Sequence, residues 1–288
     1  MDRFGTRLPA EIGVPATTWD HQSFPSMIHF ASLTPDRVSS YSHAYFNTFN
    51  VVYPILDEEL FTKDVLPIPF TSGFRYGHPA SVLTLFVLAL GQLAIESLTG
   101  SPIELPDGRL SGLRGGTVSH PPGLELFNEG RTRLGTLILR GDVSSVQVLL
   151  LEATYFQANG CHVEYWRAIT QANMQCQLLA HSPSVQWQTV NGDLLRRAFW
   201  TCVIDENFYH QDLDLPRTNI CLLMDMIRLP NFSKALGSSK WTSGDRIQTL
   251  SEFYFLAKIS LQRVITRIHS AVQGCELETQ SNWQIDIG

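Results

Sequence analysis

This sequence is short of charge. Only 17% of the 288 residues are Asp, Glu, Lys or Arg, and the formal net charge is −6. The densest basic feature is the pair Arg196-Arg197. A protein that grips phosphates carries a basic face or arm. Its absence argues against direct nucleic-acid binding by this chain.

The sequence is also short of the patterns that carry chemistry. It has no GxSxG elbow, no GxxxxGK[ST] loop and no GxGxxG fingerprint. The glycines at 112, 115 and 116 read as loop residues. Five cysteines lie at 161, 176, 202, 221 and 275, with no CxxC among them. That spacing suits buried, reduced thiols rather than disulfides or a clustered zinc site. The nine histidines are scattered, and no two fall within one helical turn. His162 and Glu164 are spaced toward different faces, so helical metal ligation is not indicated. The start, MDRFGTRLPAEIG, has no apolar signal core. The longest apolar run, Ser81 to Ile95, is short for a membrane span and fits a core helix. Clean two-residue alternation is missing, as are repeats of 20 to 50 residues.

What remains is helical periodicity on a 44% apolar chain, an all-α pattern. The centre is Asp142 to Ser182, two helices joined at Gly160. Val146, Leu149, Leu150, Ala153 and Phe156 recur at helical spacing, and Val148 and Leu151 extend the apolar surface round the helix, which predicts burial. The second half continues with Tyr165, Ile169, Ala172, Cys176 and Leu179. Thr34-Pro35-Asp36 predicts a helix start, with Tyr41, Tyr45, Phe49 and Val52 on one face and Pro54 beyond its end. Residues 62–77 read as a loop. Pro79 opens an apolar helix in which Gly91 predicts close packing. Residues 99–123 read as a loose surface loop, and Leu124 to Ile138 as one helix. Asn191-Gly192-Asp193 reads as a turn and cap before the next helix, which Pro216 bars from continuing. A last helix from about Ser243 carries Ile247, Leu250, Tyr254, Ala257, Leu261, Val264, Ile268 and Val272 in steps of three and four. The expectation is a single domain of about seven to nine helices, with an irregular arm at the N-terminus and a long Gly/Pro-rich loop.

Asp205-Glu206 lies in an otherwise apolar turn, and its functional reading is a buried carboxylate acting in catalysis or ligand binding. The structural reading of the pair is an ion pair or a cap for a neighbouring helix or the Asp214–Thr218 loop, for instance with Arg217 or Arg167. A pocket between helices is the alternative setting for the aromatic residues. Its candidate lining is Phe156, Trp166, Phe199, Trp200 and Asp205.

Four segments, in order, resemble the middle homology region of fungal zinc-cluster (Zn2Cys6) transcription factors. They are Tyr45 to Asp57 with its Tyr53-Pro54-Ile55-Leu56; Leu83 to Ala94; Ser145 to Leu151 with the helix after it; and Leu195 to Asp205 with its Arg196-Arg197-Ala198-Phe199-Trp200. Leu215-Pro216-Arg217 follows where the family has a similar turn. The chain departs from the pattern at Glu206, where the family has arginine, and at Ala180. The CxxCxxxxxxC run of the family's zinc cluster is nowhere present, so no zinc or other cofactor is expected in this chain and DNA would be reached only through an absent domain. The resemblance implies an arm over 1–33 and a regulatory region over 34–288, cut short at its C-terminal end. It implies a nuclear, non-enzymatic domain that regulates transcription. Its partners would be a second copy, coregulators or a small-molecule inducer, with no membrane. A stand-alone inducer sensor is the alternative, and a helical biosynthetic enzyme on the same fold is the third reading.

Overall fold

The computed structural model describes residues 33–104, 108, 110–213, 216–232, 249–268 and 271. The arm expected over 1–33, except Leu33, lies outside them. So do the expected start of the last helix near Ser243, Cys275 and the polar tail.

Thr34 starts helix α1 (Pro35–Val52): its hydroxyl accepts from Arg37 N at 3.4 Å, with Pro35 in the first turn. Val38, Tyr45 and Phe46 form the buried face. After Tyr53 the chain turns at Pro54, and Asn50 stitches that turn. Its amide donates to Leu56 O at 3.1 Å and its oxygen accepts from Leu56 N at 3.2 Å, seating Ile55 and Leu56 in the core. Asp57 then caps a short α2 (Glu58–Leu60), which runs through one π-helical stretch, Phe61–Val65, into α3 (Pro67–Ser72). The loop reading of 62–77 is thus corrected. Pro67 sits at the first position of α3, where a missing N–H costs nothing.

Helix α4 (Pro79–Thr99) packs against α1, α5 and α6. Its 21 residues are long and apolar enough to cross a membrane by composition, so the short-run argument does not decide the matter. Within the described residues, 67% of its apolar window is buried by this chain. Gly91 lies where α4 crosses α1: a Cβ built there would come within 2.8 Å of Tyr41 Cα and nearer still to its carbonyl.

The stretch 99–123 is less loose than its composition suggests. Pro102–Glu104 (β1) and Leu110–Arg114 (β2) pair antiparallel, with Pro102 opposite Arg114 and Glu104 opposite Leu110. Strands this short leave no readable alternation. Pro122 is buried, and its carbonyl accepts from Tyr155 Oη at 2.7 Å, tying the stretch to α6. Helix α5 (Leu124–Thr132) follows. The single helix expected to Ile138 breaks here, because Arg133 N and Leu134 N turn to bonds three residues back, and a 3-10 turn, Gly135–Arg140, takes over.

The central pair forms as read. Asp142 and Ser145 make a capping box for α6 (Val143–Ala158), Gly160 takes a left-handed turn at φ 72°, and α7 (His162–Ala180) returns. Helix α8 (Val190–Leu213) packs on both. It starts before Asp193, which sits in its first turn rather than at its cap. Helix α9 (residues 249–268) buries Ser251, Phe255 and Ile259. Leu250, Tyr254, Leu261, Val264 and Ile268, whose spacing marked the helix, are 52% to 68% exposed. The packed face lies one residue further along, so the periodicity placed the helix but not its orientation. The described fold is all-α with one small two-stranded ladder.

Candidate functional site

Helix α8 carries most of the buried charged side chains among the described residues. In its first turn Asp193 Oδ2 accepts from Arg197 Nε at 2.9 Å and Nη2 at 2.8 Å. Asp193 Oδ1 accepts from Asn231 N at 2.6 Å and lies 3.8 Å from Arg196 Nη1. Arg196 Nη2 donates to Trp187 O at 2.6 Å, and the Arg197 guanidinium lies 4.4 Å from the centre of the Phe232 ring. Trp200 Nε1 donates to Arg228 O at 3.1 Å. The Arg-Arg-x-Phe-Trp sequence therefore fastens the segments around 187 and 228–232 to the helix. A cavity of about 130 Å³ lies beside it, lined by Asp57, Trp187, Arg196, Arg197, Phe232 and Glu252 among others.

Two turns later stands Asp205, 5% exposed. Around it are Tyr53 from the end of α1, Tyr165 from α7 and Lys258 from α9. Burial raises its pKa from 3.8 to about 6; hydrogen bonding from Tyr53, the charge of Lys258 and the nearby Tyr165 hydroxyl hold it down. The Tyr165 hydroxyl leans on the carboxylate without a regular hydrogen bond. Tyr53 is raised chiefly by the Asp205 charge, and Tyr165 chiefly by burial. Lys258 Nζ lies 4.2 Å from the centre of the Tyr53 ring, and burial lowers its pKa. Tyr165 stacks on Tyr209 at 4.1 Å, and Tyr209 Oη lies 3.5 Å from His162 Nδ1. Asp205 is thus a polar hub joining α1, α7, α8 and α9.

The hub has a pH signature. A carboxyl whose pKa is higher folded than unfolded binds more protons in the folded state between those values, so it loses stability as pH rises through that window. Chemical denaturation of wild type and Asp205→Asn at several pH values checks this. Relative to the variant, wild type should lose stability from about pH 4 to about pH 6 and run parallel above.

Glu206 faces another way. Its Oε1 accepts from Asn173 Nδ2 at 3.2 Å, from Thr218 N at 2.5 Å and from Thr218 Oγ1. Gln177 Nε2 donates to Thr218 O at 2.9 Å. The residue where the family has arginine therefore anchors the segment after α8 onto α7.

Among the described residues, the five chosen from the sequence do not together line either described cavity. Phe156 meets the Phe127 ring edge-on at 5.2 Å and lies 5.5 Å from the Arg131 guanidinium. Phe199 and Trp200 are buried in the core, 1% and 0% exposed. Trp166 lines a crevice between α7 and α8 with Tyr165, Asn173, Glu206, Tyr209 and Pro216 among its other walls; Phe156, Phe199, Trp200 and Asp205 are not among them. The arginine partner suggested for Asp205 is replaced by tyrosines and Lys258. Glu206 stood next to Asp205 in the same apolar turn, which was signal enough to find it. Tyr53 and Lys258 carried no local signal.

Among the described residues no group of three or more His, Cys, Asp or Glu is placed to hold a metal ion. Cys176 and Cys202 bring their sulfurs to 3.8 Å as free, buried thiols, and burial pushes the Cys161 thiol up to about 12. No family model, no curated protein and no solved structure matches this chain.

Proposed function

We propose that this chain is a regulatory domain of the fungal zinc-cluster transcription-factor kind, acting in the nucleus through contacts with other proteins or with another part of its own polypeptide. The observation that supports this reading is that the residues carrying the resemblance touch one another across segments. Gln147 of the third segment donates through Nε2 to Ile55 O of the first at 2.8 Å. Tyr53 of the first and Asp205 of the fourth lie close enough to perturb each other's ionisation. The second segment, within α4, packs between α1 and α6. Short patterns that are individually ordinary core packing become one set of mutual contacts, as a shared fold requires. Asp205 and its tyrosines join helices, a role suited to a domain that works by holding or releasing a surface.

The test is a reporter assay. The full chain is inserted between a heterologous DNA-binding domain and an activation domain. The expected result is a severalfold change in reporter output relative to the fusion without it. A folded, nuclear fusion that leaves output unchanged overturns the proposal.

A further inference from the structure

Helix α9 turns a seam toward solvent where a polar face is usual. Leu250, Tyr254, Ala257, Leu261, Val264 and Ile268 follow one another in alternating steps of four and three, the a/d repeat of a coiled coil. The exposed residues over 249–268 are these six and one flank beside them, Phe253, Ser260 and Arg267. The buried residues Ser251, Phe255 and Ile259 lie on the opposite side of the helix. One face of α9 therefore builds the core, and a second apolar face stands in water.

Neighbouring charges are drawn away from that second face. Lys258 Nζ lies 4.2 Å from the centre of the Tyr53 ring, and Arg263 Nη2 donates to Asp225 Oδ1 at 3.2 Å. Among the described residues of the face, Arg267 alone is charged. Leu250, Phe253, Tyr254, Leu261, Val264 and Ile268 are each more than half exposed, which leaves roughly 700 Å² of these residues in water. A patch above a few hundred Å² marks an interaction site, and a stable interface takes about 800 Å² from each partner.

The order of residues along the seam says what covers it. Laid end for end against itself, the stripe sets Leu250 against Ile268, Tyr254 against Val264 and Ala257 against Leu261. Each layer then joins two apolar side chains, with small Ala257 opposite a larger partner. The same reversal brings Arg267 beside the second copy's Phe253, where guanidinium and ring attract, and Ser260 beside its own counterpart. A parallel pairing in register instead stacks Tyr254 on Tyr254 and leaves a gap between two Ala257 methyls.

We propose that this face pairs with the same face of a second copy, as an antiparallel two-helix seam with its two-fold axis near Ser260. The inference stands apart from the transcriptional reading, since it requires only the exposed face of α9.

Sedimentation velocity of the full chain over a micromolar concentration series tests it. The mass is expected to move from one chain toward two as concentration rises, and the melting temperature to rise with it. Leu261→Asp places a carboxylate in the middle layer of the seam. Leu261 is exposed in the single chain, so the variant should keep the wild-type circular dichroism while association weakens about a hundredfold or more. Ser260→Cys should give a disulfide-linked dimer under mild oxidation that wild type, treated alike, does not give. Leu250→Cys should not crosslink, because the reversal holds the two copies of that residue about 27 Å apart. A chain that stays monomeric overturns the proposal and assigns the face to a different protein or polypeptide segment. So does a dimer that Leu261→Asp leaves intact, or one that crosslinks through Leu250→Cys in place of Ser260→Cys.

Discussion

Gly91→Ala is expected to destabilise the protein by about 3 kcal/mol. Ordinarily the exchange helps: alanine in a helix interior is favoured over glycine by about 1 kcal/mol. Here the added methyl meets backbone, not a side chain that can rotate away. Tyr41 Cα would lie 2.8 Å from it, with the carbonyl nearer. Relief requires α1 and α4 to separate. That separation would loosen Tyr45 and Phe46 from the core and draw Tyr53 from Asp205. The overpacking term therefore outweighs helix propensity. The midpoint of guanidinium unfolding should fall with its slope unchanged. A variant as stable as wild type would mean that the helices do not cross at this distance.

Asp193→Ala should be the other severe substitution, at about 3–5 kcal/mol. Asp193 is the shared partner of Arg197 and Arg196, whose side chains are 10% and 9% exposed. Removing the carboxylate strands two desolvated guanidiniums and leaves Asn231 N without its acceptor. The contrast is Lys63–Glu59, where both side chains are 68% exposed and water already screens the charges. Salt should barely change the Asp193→Ala loss, because buried pairs are poorly screened. Unfolding measured at low and high sodium chloride checks both points. A loss under about 1 kcal/mol would show the pair to be solvated.

The helical class and the central hairpin were legible because local interactions set them. Thr34 and Pro35 announce a helix start through bonds within one turn, and Gly160 announces a reversal through its backbone freedom. The close crossing at Gly91 was legible for a related reason: an otherwise disfavoured residue in a strong helix needs a packing cause. Elements ruled by tertiary contact were not. The composition of 99–123 resembled a free loop, yet Tyr155 holds it through Pro122 O. The prolines of 67–69 suggested a break, yet they begin a helix. The aromatic pocket was read from residue type alone, and most of those rings fill the core.

By itself the sequence determined that this chain folds as helices, where several of them start, and that the central hairpin is buried. Each of those follows from caps, prolines and apolar spacing, which act over a few residues. Tertiary structure alone decided the rest. Helix α9 turned Phe255 and Ile259 inward and left the Leu250–Ile268 stripe outside, since a helix with apolar residues on several faces is oriented by what it meets. Asp205 found tyrosines and a lysine in place of an arginine, and its neighbour Glu206 took Asn173 and Thr218. Those partners come from separate helices and loops, and desolvation at their meeting point exists only once the chain has folded.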